Sequence, residues 1–461
     1  MVSTKKGEFI LATTVGGLLA ITISILQNVT LAIIPLLILI TTFLVLKNKL
    51  QLYIVSGILI TLFCFSTIFG IDTFVYLTLD RILIICIIML YFTTQRKHEK
   101  LSDFEKLFLI FSISIIIPTL FISNSYGVDS LALSIRKILL MFIEYFIYFY
   151  VLRRVMDKQD GGKILKFTLI WGCIVGIYGL VEYFTQKNFL FDFVLQHGFS
   201  FNTNYEETFL WGQTRGGILR AKSTFSHSLE FAGILTMLVP FVLYFFTTTK
   251  RKVSKLMLFV LLIIIIGSVV AAISRSILVI NVLIIVMFFL LTKSVSYVKK
   301  FYFLFLLMVG VIIAYFSLFS FFFPDGTTND LSLAQRSDNI LNAFTVIKEN
   351  ILFGIGYGNS EATRLVFDNY YFSLLVQSGI VGLGLFLITF VFLLVVYFKK
   401  MKKEKNLLIS NLYLAISLFV LTFILLNLAF DAMGFVTVGK VFFFILAASL
   451  SFENRIKLLA K

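Results

Sequence analysis

The chain has 461 residues, of which 59% are hydrophobic, 16% aromatic and 14% charged, with 54 Phe among them, and its mean hydropathy is +1.00. A soluble core has no use for so much apolar surface, which excludes an ordinary soluble domain. The formal net charge of +16 does not mark a nucleic-acid binder, because no basic soluble domain is present to carry such a surface.

A helix crosses a hydrocarbon layer roughly 30 Å thick with about 20 apolar residues. Stretches of this kind fall near 9–26, 29–46, 52–71, 74–92, 107–123, 138–152, 164–183, 230–248, 256–273, 277–292, 301–323, 370–398, 407–430 and 441–452. The expectation is an all-α polytopic integral membrane protein of about 14 transmembrane helices (range 12–14). The uncertain spans are 74–92, which holds Asp80 and Arg81, and the short 138–152 and 441–452. Helices are required because each backbone polar group must be satisfied inside its own segment, whereas barrel strands would be shorter and alternate in polarity. The first span lacks an A-x-A-like exit and reads as a retained helix. No linker, low-complexity tract or fixed-period repeat interrupts the chain, so residues 1–461 form a single transmembrane domain.

Basic clusters set the orientation. Arg96, Lys97 and Lys100, then Arg153 and Arg154, then Lys250, Arg251 and Lys252, then Lys399, Lys400, Lys402 and Lys403 all fall on one side. With both termini cytoplasmic, most of the 40 Lys and Arg lie inside, and the net charge is mainly a topology signal. The two long connections, 185–229 and 324–369, then face the extracytoplasmic side. Chemistry there does without cytosolic ATP or sugar nucleotides, so its substrate arrives activated.

Cys64, Cys86 and Cys173 lie one to a span, and His98, His197 and His227 are scattered. Neither set has disulfide or metal spacing, and no metal or cofactor is expected.

The first long connection ends with Arg215, Arg220 and Lys222, just before the span at Glu230. Such cations suit phosphate oxygens, Arg through its fixed fork of donors; the alternative is anchoring at the interface by snorkelling. The Ser-Thr-Phe-Ser-His-Ser run that follows reads as the start of a helix whose N-terminus faces the same region. Arg275 sits in a connection of about three residues, where it meets either a phosphate or an external carboxylate. The second long connection opens with the turn Pro324-Asp325-Gly326 and continues through Arg336. Ser337-Asp338 and the stripe Ile340, Ala343, Phe344 and Ile347 predict a short amphipathic helix over 338–349. Gly354-Ile355-Gly356-Tyr357-Gly358 is either a phosphate cradle or a tight turn. Asp368-Asn369 stands at the mouth of the longest span, where Asp368 serves a substrate, caps the helix, or does both.

These pieces carry a resemblance. Arg220-x-x-x-Thr-Phe-Ser-His, Ser274-Arg275-Ser276, Arg336 with the stretch ending Phe-Gly-Ile-Gly-Tyr-Gly, and Asp368-Asn-Tyr-Tyr-Phe-Ser-Leu-Leu-Val-Gln-Ser-Gly-Ile-Val-Gly-Leu-Gly together resemble the O-antigen ligase and polymerase family. The family-like core covers about 215–390. The resemblance implies a multi-pass enzyme of the bacterial cytoplasmic membrane that moves lipid-linked glycans on its outer face. Its substrate would be a polyprenyl-diphosphate-linked oligosaccharide, with membrane lipids, a chain-length regulator and a flippase as partners. Ligases of the family carry His-Asn where this chain has Asp368-Asn369, which points towards the polymerases. In that mechanism Arg220, Arg275 and Arg336 hold the diphosphate, with Arg215 and Lys222 behind them. His227 and Asn369 contact substrate, and Asp368 is the general base, with His227 or Glu230 next in line. Two rivals stand: a ligase attaching glycan to a lipid, wall polymer or protein, and a transporter. The transporter is the weaker, since its charges should lie at mid-membrane in matched halves.

Overall fold

The computed structural model describes residues 55, 57–60, 62–63, 70–71, 77–94, 100–122, 128–157, 160–196, 214–215, 218–296, 347–348, 350–359, 367 and 369–460. In chain order the helices are α1 (Leu79–Thr94), α2 (Asp103–Ile122), α3 (Val128–Met141), α4 (Tyr148–Asp157), α5 (Gly161–Thr185), α6 (Phe189–Gln196), α7 (Ser228–Thr248), α8 (Lys252–Ala271), α9 (Arg275–Leu291), α10 (Tyr370–Lys403), α11 (Leu407–Ala429) and α12 (Val436–Ala460). A π-helical segment, Phe142–Ile147, joins α3 to α4. Two short antiparallel ribbons accompany them: β1 (Gly70–Ile71) with β2 (Leu77–Thr78), and β3 (Thr214–Arg215) with β4 (Ile218–Leu219).

Among the described residues, α5, α7, α8, α10, α11 and α12 are long and apolar enough to cross a membrane, while α9 is shorter at 17 residues. The fold is therefore largely helical and multi-pass. The expected spans 9–26, 29–46 and 301–323 lie outside the described residues. So does nearly all of the expected amphipathic helix, of which Ile347 and Lys348 are helical.

Several boundaries move. The span expected from 74 is helical from Leu79, because Leu77 and Thr78 just before it pair in the β1–β2 ribbon, with Gly70 opposite Thr78. The short span 138–152 is the middle of a helical run from Val128 to Asp157. Arg275, expected in a connection, is the first residue of α9. The last helix is 25 residues long, not the dozen of 441–452. It extends back through Lys440 because that charge has buried partners, which a hydropathy reading cannot see. The described part of the connection 185–229 contains α6 and the β3–β4 ribbon.

Helices α7, α11 and α12 are the most buried and form the centre, while α8 is the most exposed. Phenylalanine knits the centre together: Phe442 of α12 stacks on Phe423 and Phe419 of α11, with centroids 3.9 and 4.9 Å apart. Such offset pairs add to the burial of their area. Asn369 of the α10 cap donates its amide to the Leu428 carbonyl at 3.0 Å, and the His227 ring lies 5.5 Å from that of Phe435. The N-termini of α7, α10 and α12 and the C-terminus of α11 therefore share one end of the bundle, termed upper here. At the lower end the buried Arg154 of α4 donates to Glu105 of α2 at 2.7 Å, and Arg153 lies 3.3 Å from the same carboxylate.

Candidate functional site

At the upper end of α5, the buried Glu182 carboxylate gathers the segment before α7. It accepts the N–H groups of Lys222 and Ser223 at 3.0 and 2.6 Å and the Asn188 amide at 2.8 Å. Asn188 in turn donates to the Ser223 carbonyl and accepts from the Tyr178 hydroxyl, both at 2.8 Å. A carboxylate that accepts several directed donors fixes their backbone rigidly. Segment 218–227 is thus tied to α5, and this brings it against the turn between α8 and α9. There Ala221 N–H donates to the Ala271 carbonyl at 3.0 Å, and Arg220 Nε donates to the Ala272 carbonyl at 3.1 Å. Arg275 opens α9 three residues further on. Arg220 and Arg275, 55 positions apart in the chain, consequently meet at one turn.

The other candidates nearby have structural duties. Lys222 is only 4% exposed, with its ammonium 4.7 Å from the Phe191 ring centroid. Burial pushes its pKa down to about 7, against the opposing pull of Glu182. His227 is the N-cap of α7, and its Nδ1 accepts the Leu229 N–H at 3.1 Å. A nitrogen that accepts this bond carries no proton, so the ring proton of the neutral imidazole sits on Nε2. Glu230 is buried and folds back to accept the Ser226 N–H at 3.1 Å and its hydroxyl at 2.7 Å. Arg215 lies on β3, opposite Ile218.

The mouth of α10 is shaped by a break in that helix. Gly379 has φ 65° and ψ −168°, a conformation open essentially to glycine alone. The glycine loop docks into the break. Ile355 and Gly356 N–H donate to the Val376 and Gln377 carbonyls at 2.9 and 3.0 Å, and Ile380 and Val381 N–H donate back to Ile351 and Leu352 at 3.0 and 3.2 Å. Tyr357 N–H donates to the Thr119 hydroxyl and Gly358 N–H to the Gln377 side chain, both at 2.8 Å. A Cβ on Gly354 would collide with the Val376 carbonyl, and one on Gly379 with the Leu352 carbonyl. Of the two sequence alternatives, the loop is a tight turn: its amide donors are spent on α10, on Thr119 of α2 and on its own Asn350 carbonyl, leaving no phosphate cradle. The cap of α10 is Asn369, whose Oδ1 accepts the Tyr371 N–H at 2.8 Å. With its Nδ2 on Leu428, the Asn369 amide is engaged at both ends, and the cap role does not fall to Asp368. Asp368 and Arg336 themselves lie outside the described residues.

Beside this mouth is a cavity of about 480 Å³ that the sequence reading missed. Arg81, Arg136 and Lys137 line it, together with Glu144 and Asp431. Tyr145, Tyr357 and Tyr370 supply aromatic walls, and Gln377 and Ser373 supply polar ones. Its wall is held by a buried network. Lys440 lies 2.5 Å from Asp80 and 3.0 Å from Glu144, and Arg81 pairs with Glu144 in turn. The π-helical segment carries both Glu144 and Tyr145, and Tyr145 donates to the Met433 carbonyl at 2.9 Å. Wide turns of this kind recur at functional sites. One signal for the network was legible: Asp80 and Arg81 inside an apolar span, where ionisable residues are costly and usually functional. Arg136 and Lys137 gave none, since that stretch reads as a polar connection.

Residues 260–387 match the family model described as O-Antigen ligase, a stretch running from α8 through Arg275, Arg336 and Asp368 into α10. No curated protein matches the chain. The cations of the cavity and the Arg220 segment fall outside the matched stretch, so the family's residues and these are joined only by the fold. Over residues 260–387 the chain is therefore similar to the O-antigen ligase family, which supports the resemblance to membrane glycan-transferring enzymes.

Proposed function

We propose that the protein is a bacterial surface-polysaccharide polymerase, transferring glycan from a polyprenyl-diphosphate donor to an acceptor sugar hydroxyl on the outer face of the cytoplasmic membrane. The observation that carries this reading is the meeting of Arg220 with the Arg275 turn, at the same end of the bundle as the mouth of α10. The upper end is then the outer one. Arg220 and Arg275, with Arg336, hold the donor diphosphate as preorganised cations, and Arg215 and Lys222 add to the local field. Asp368 takes the proton from the acceptor hydroxyl as its oxygen bonds to the anomeric carbon. The bond from that carbon to the phosphate oxygen breaks, and the diphosphate leaves with the electron pair. His227 and Asn369 act mainly by shaping the ends of α7 and α10. The tyrosine-walled cavity takes the acceptor saccharide, its rings against sugar faces and its amide and cations against hydroxyl and acidic groups. The Asp at 368, where ligases of the family carry His, favours the polymerase over the ligase.

The test is chain growth by purified protein given lipid-linked repeat units. Products longer than one repeat support the polymerase, whereas transfer to a lipid or wall acceptor without elongation would make it a ligase. Orientation is checked in intact cells: Ser200→Cys and Thr328→Cys should react with an impermeant thiol reagent, and Lys402→Cys should not.

A further inference from the structure

The lower end of the bundle carries a second large cavity, of about 790 Å³, between α5, α7 and α8. Leu169 and Leu261 make its floor, at 4% and 8% exposure, while Ile170, Ile174 and Met257 on its rim are about half exposed or more. Apolar side chains bared around a slot between spanning helices belong in hydrocarbon, so the slot is filled from the side, by the bilayer. One end has a different character. There Lys166, Lys250 and Arg251 gather with the hydroxyls of Thr249 and Ser254, and among the described residues no carboxylate lines the slot. The Lys166 ammonium is held over the Phe245 ring, 5.4 Å from its centroid. Arg251 is also the N-cap residue of α8, so the first N–H groups of that helix face the same end and add partial positive charge.

We propose that this groove is a binding site for an anionic phospholipid, with acyl chain along α5 and α8 and phosphate among Lys166, Lys250 and Arg251. The two halves of the groove select the two halves of such a ligand. A free anion has nothing to place against Leu169 and Leu261, and a zwitterionic lipid offers the three cations no net charge. Basic pockets between spanning helices favour anionic headgroups for this reason, and the Arg fork fits phosphate oxygens more closely than a point charge can. The site lies at the end of the bundle opposite the Arg220 turn and does not depend on the glycan chemistry.

The experiment uses the full chain in nanodiscs of phosphatidylglycerol or phosphatidylcholine, reading retained lipid by native mass spectrometry. Wild type should retain phosphatidylglycerol and release phosphatidylcholine. The Lys166→Gln, Lys250→Gln, Arg251→Gln triple variant should retain phosphatidylglycerol about 100-fold less, since each cation near an anionic surface contributes several-fold. Cys173, which lines the groove, provides a second measurement that needs no change to the cations. In a Cys64→Ser, Cys86→Ser background, a membrane-permeant alkylating reagent should modify Cys173 several-fold more slowly in phosphatidylglycerol than in phosphatidylcholine. Equal retention of phosphatidylglycerol by the triple variant and wild type would overturn the proposal, as would equal retention of both lipids by wild type. If the triple variant fails to fold, Cys173 decides: equal alkylation in both lipids rejects the site, and slower alkylation in phosphatidylglycerol upholds it.

Discussion

The two cavities lie at opposite ends of the bundle and both contain three basic side chains, yet they are built for different ligands. In the upper one, Arg81, Arg136 and Lys137 alternate with Glu144, Asp431 and three tyrosines, so any occupant must satisfy many directed bonds at once. In the lower one, Lys166, Lys250 and Arg251 stand together at the end of an apolar slot, and a ligand with one charged head and a greasy body fits. The number of cations does not separate the two. What separates them is whether the cations are interleaved with acceptors or gathered apart from them, because the first arrangement demands geometry and the second only polarity.

If the upper end does the chemistry and the lower end holds lipid, variants should split cleanly. The largest effect is expected for Asp368→Asn, which removes the proposed base while Asn369 keeps the helix cap. Chain growth should fall about 100- to 10,000-fold, with donor binding and lipid retention unchanged. An active Asp368→Asn protein would remove the base from this position. Next comes Glu144→Gln, which removes the carboxylate paired with Arg81 and leaves Lys440 with Asp80 alone. Breaking a buried charge network from one side costs about 3–5 kcal/mol, measurable as a lower unfolding midpoint. Adding Arg81→Met should recover part of the loss, since Lys440 keeps Asp80, and no loss in the single variant would mean that the network does not brace the cavity.

Arg275→Lys should lower the rate of transfer about 100-fold, roughly 3 kcal/mol of transition-state stabilisation, because a point charge cannot replace a fork. Normal rates would detach Arg275 from the diphosphate. The smallest effect concerns pH. Folded Lys222 titrates near 7 and an unperturbed lysine near 10.5, so between these values the unfolded chain binds more protons than the folded one. Stability therefore rises with pH across that window. From pH 7 to 9 the unfolding midpoint of wild type should climb relative to that of Lys222→Met, and parallel curves would contradict this burial of the ammonium.

Particular residues show what a linear reading can reach. Arg220 was singled out as a cation at the membrane-facing end of a long connection and Arg275 as one held in a very short connection, and the fold brings them to one turn. The glycine loop remained ambiguous in sequence, since a cradle and a tight turn need the same residues. Only the partners of its N–H groups, supplied by the Gly379 break in α10 and by Thr119 of α2, decide between them. Asn369 and His227 were legible as residues near helix starts, but their engagement in caps depends on the helix geometry around them. Arg136 and Lys137 look like an ordinary polar connection until α3 folds against Tyr357 and Tyr370.

Apolar run length and the sidedness of Lys and Arg are local quantities, and by themselves they determined that this is a helical, multi-pass membrane protein. The family-like motifs are equally local and pointed to glycan transfer. The tertiary structure alone decided which charges meet. Lys440 and Asp80 are 360 positions apart and lie 2.5 Å from each other. That pair forms because a charge buried among spanning helices is tolerable only with a partner, and which partner is within reach depends on how the helices pack.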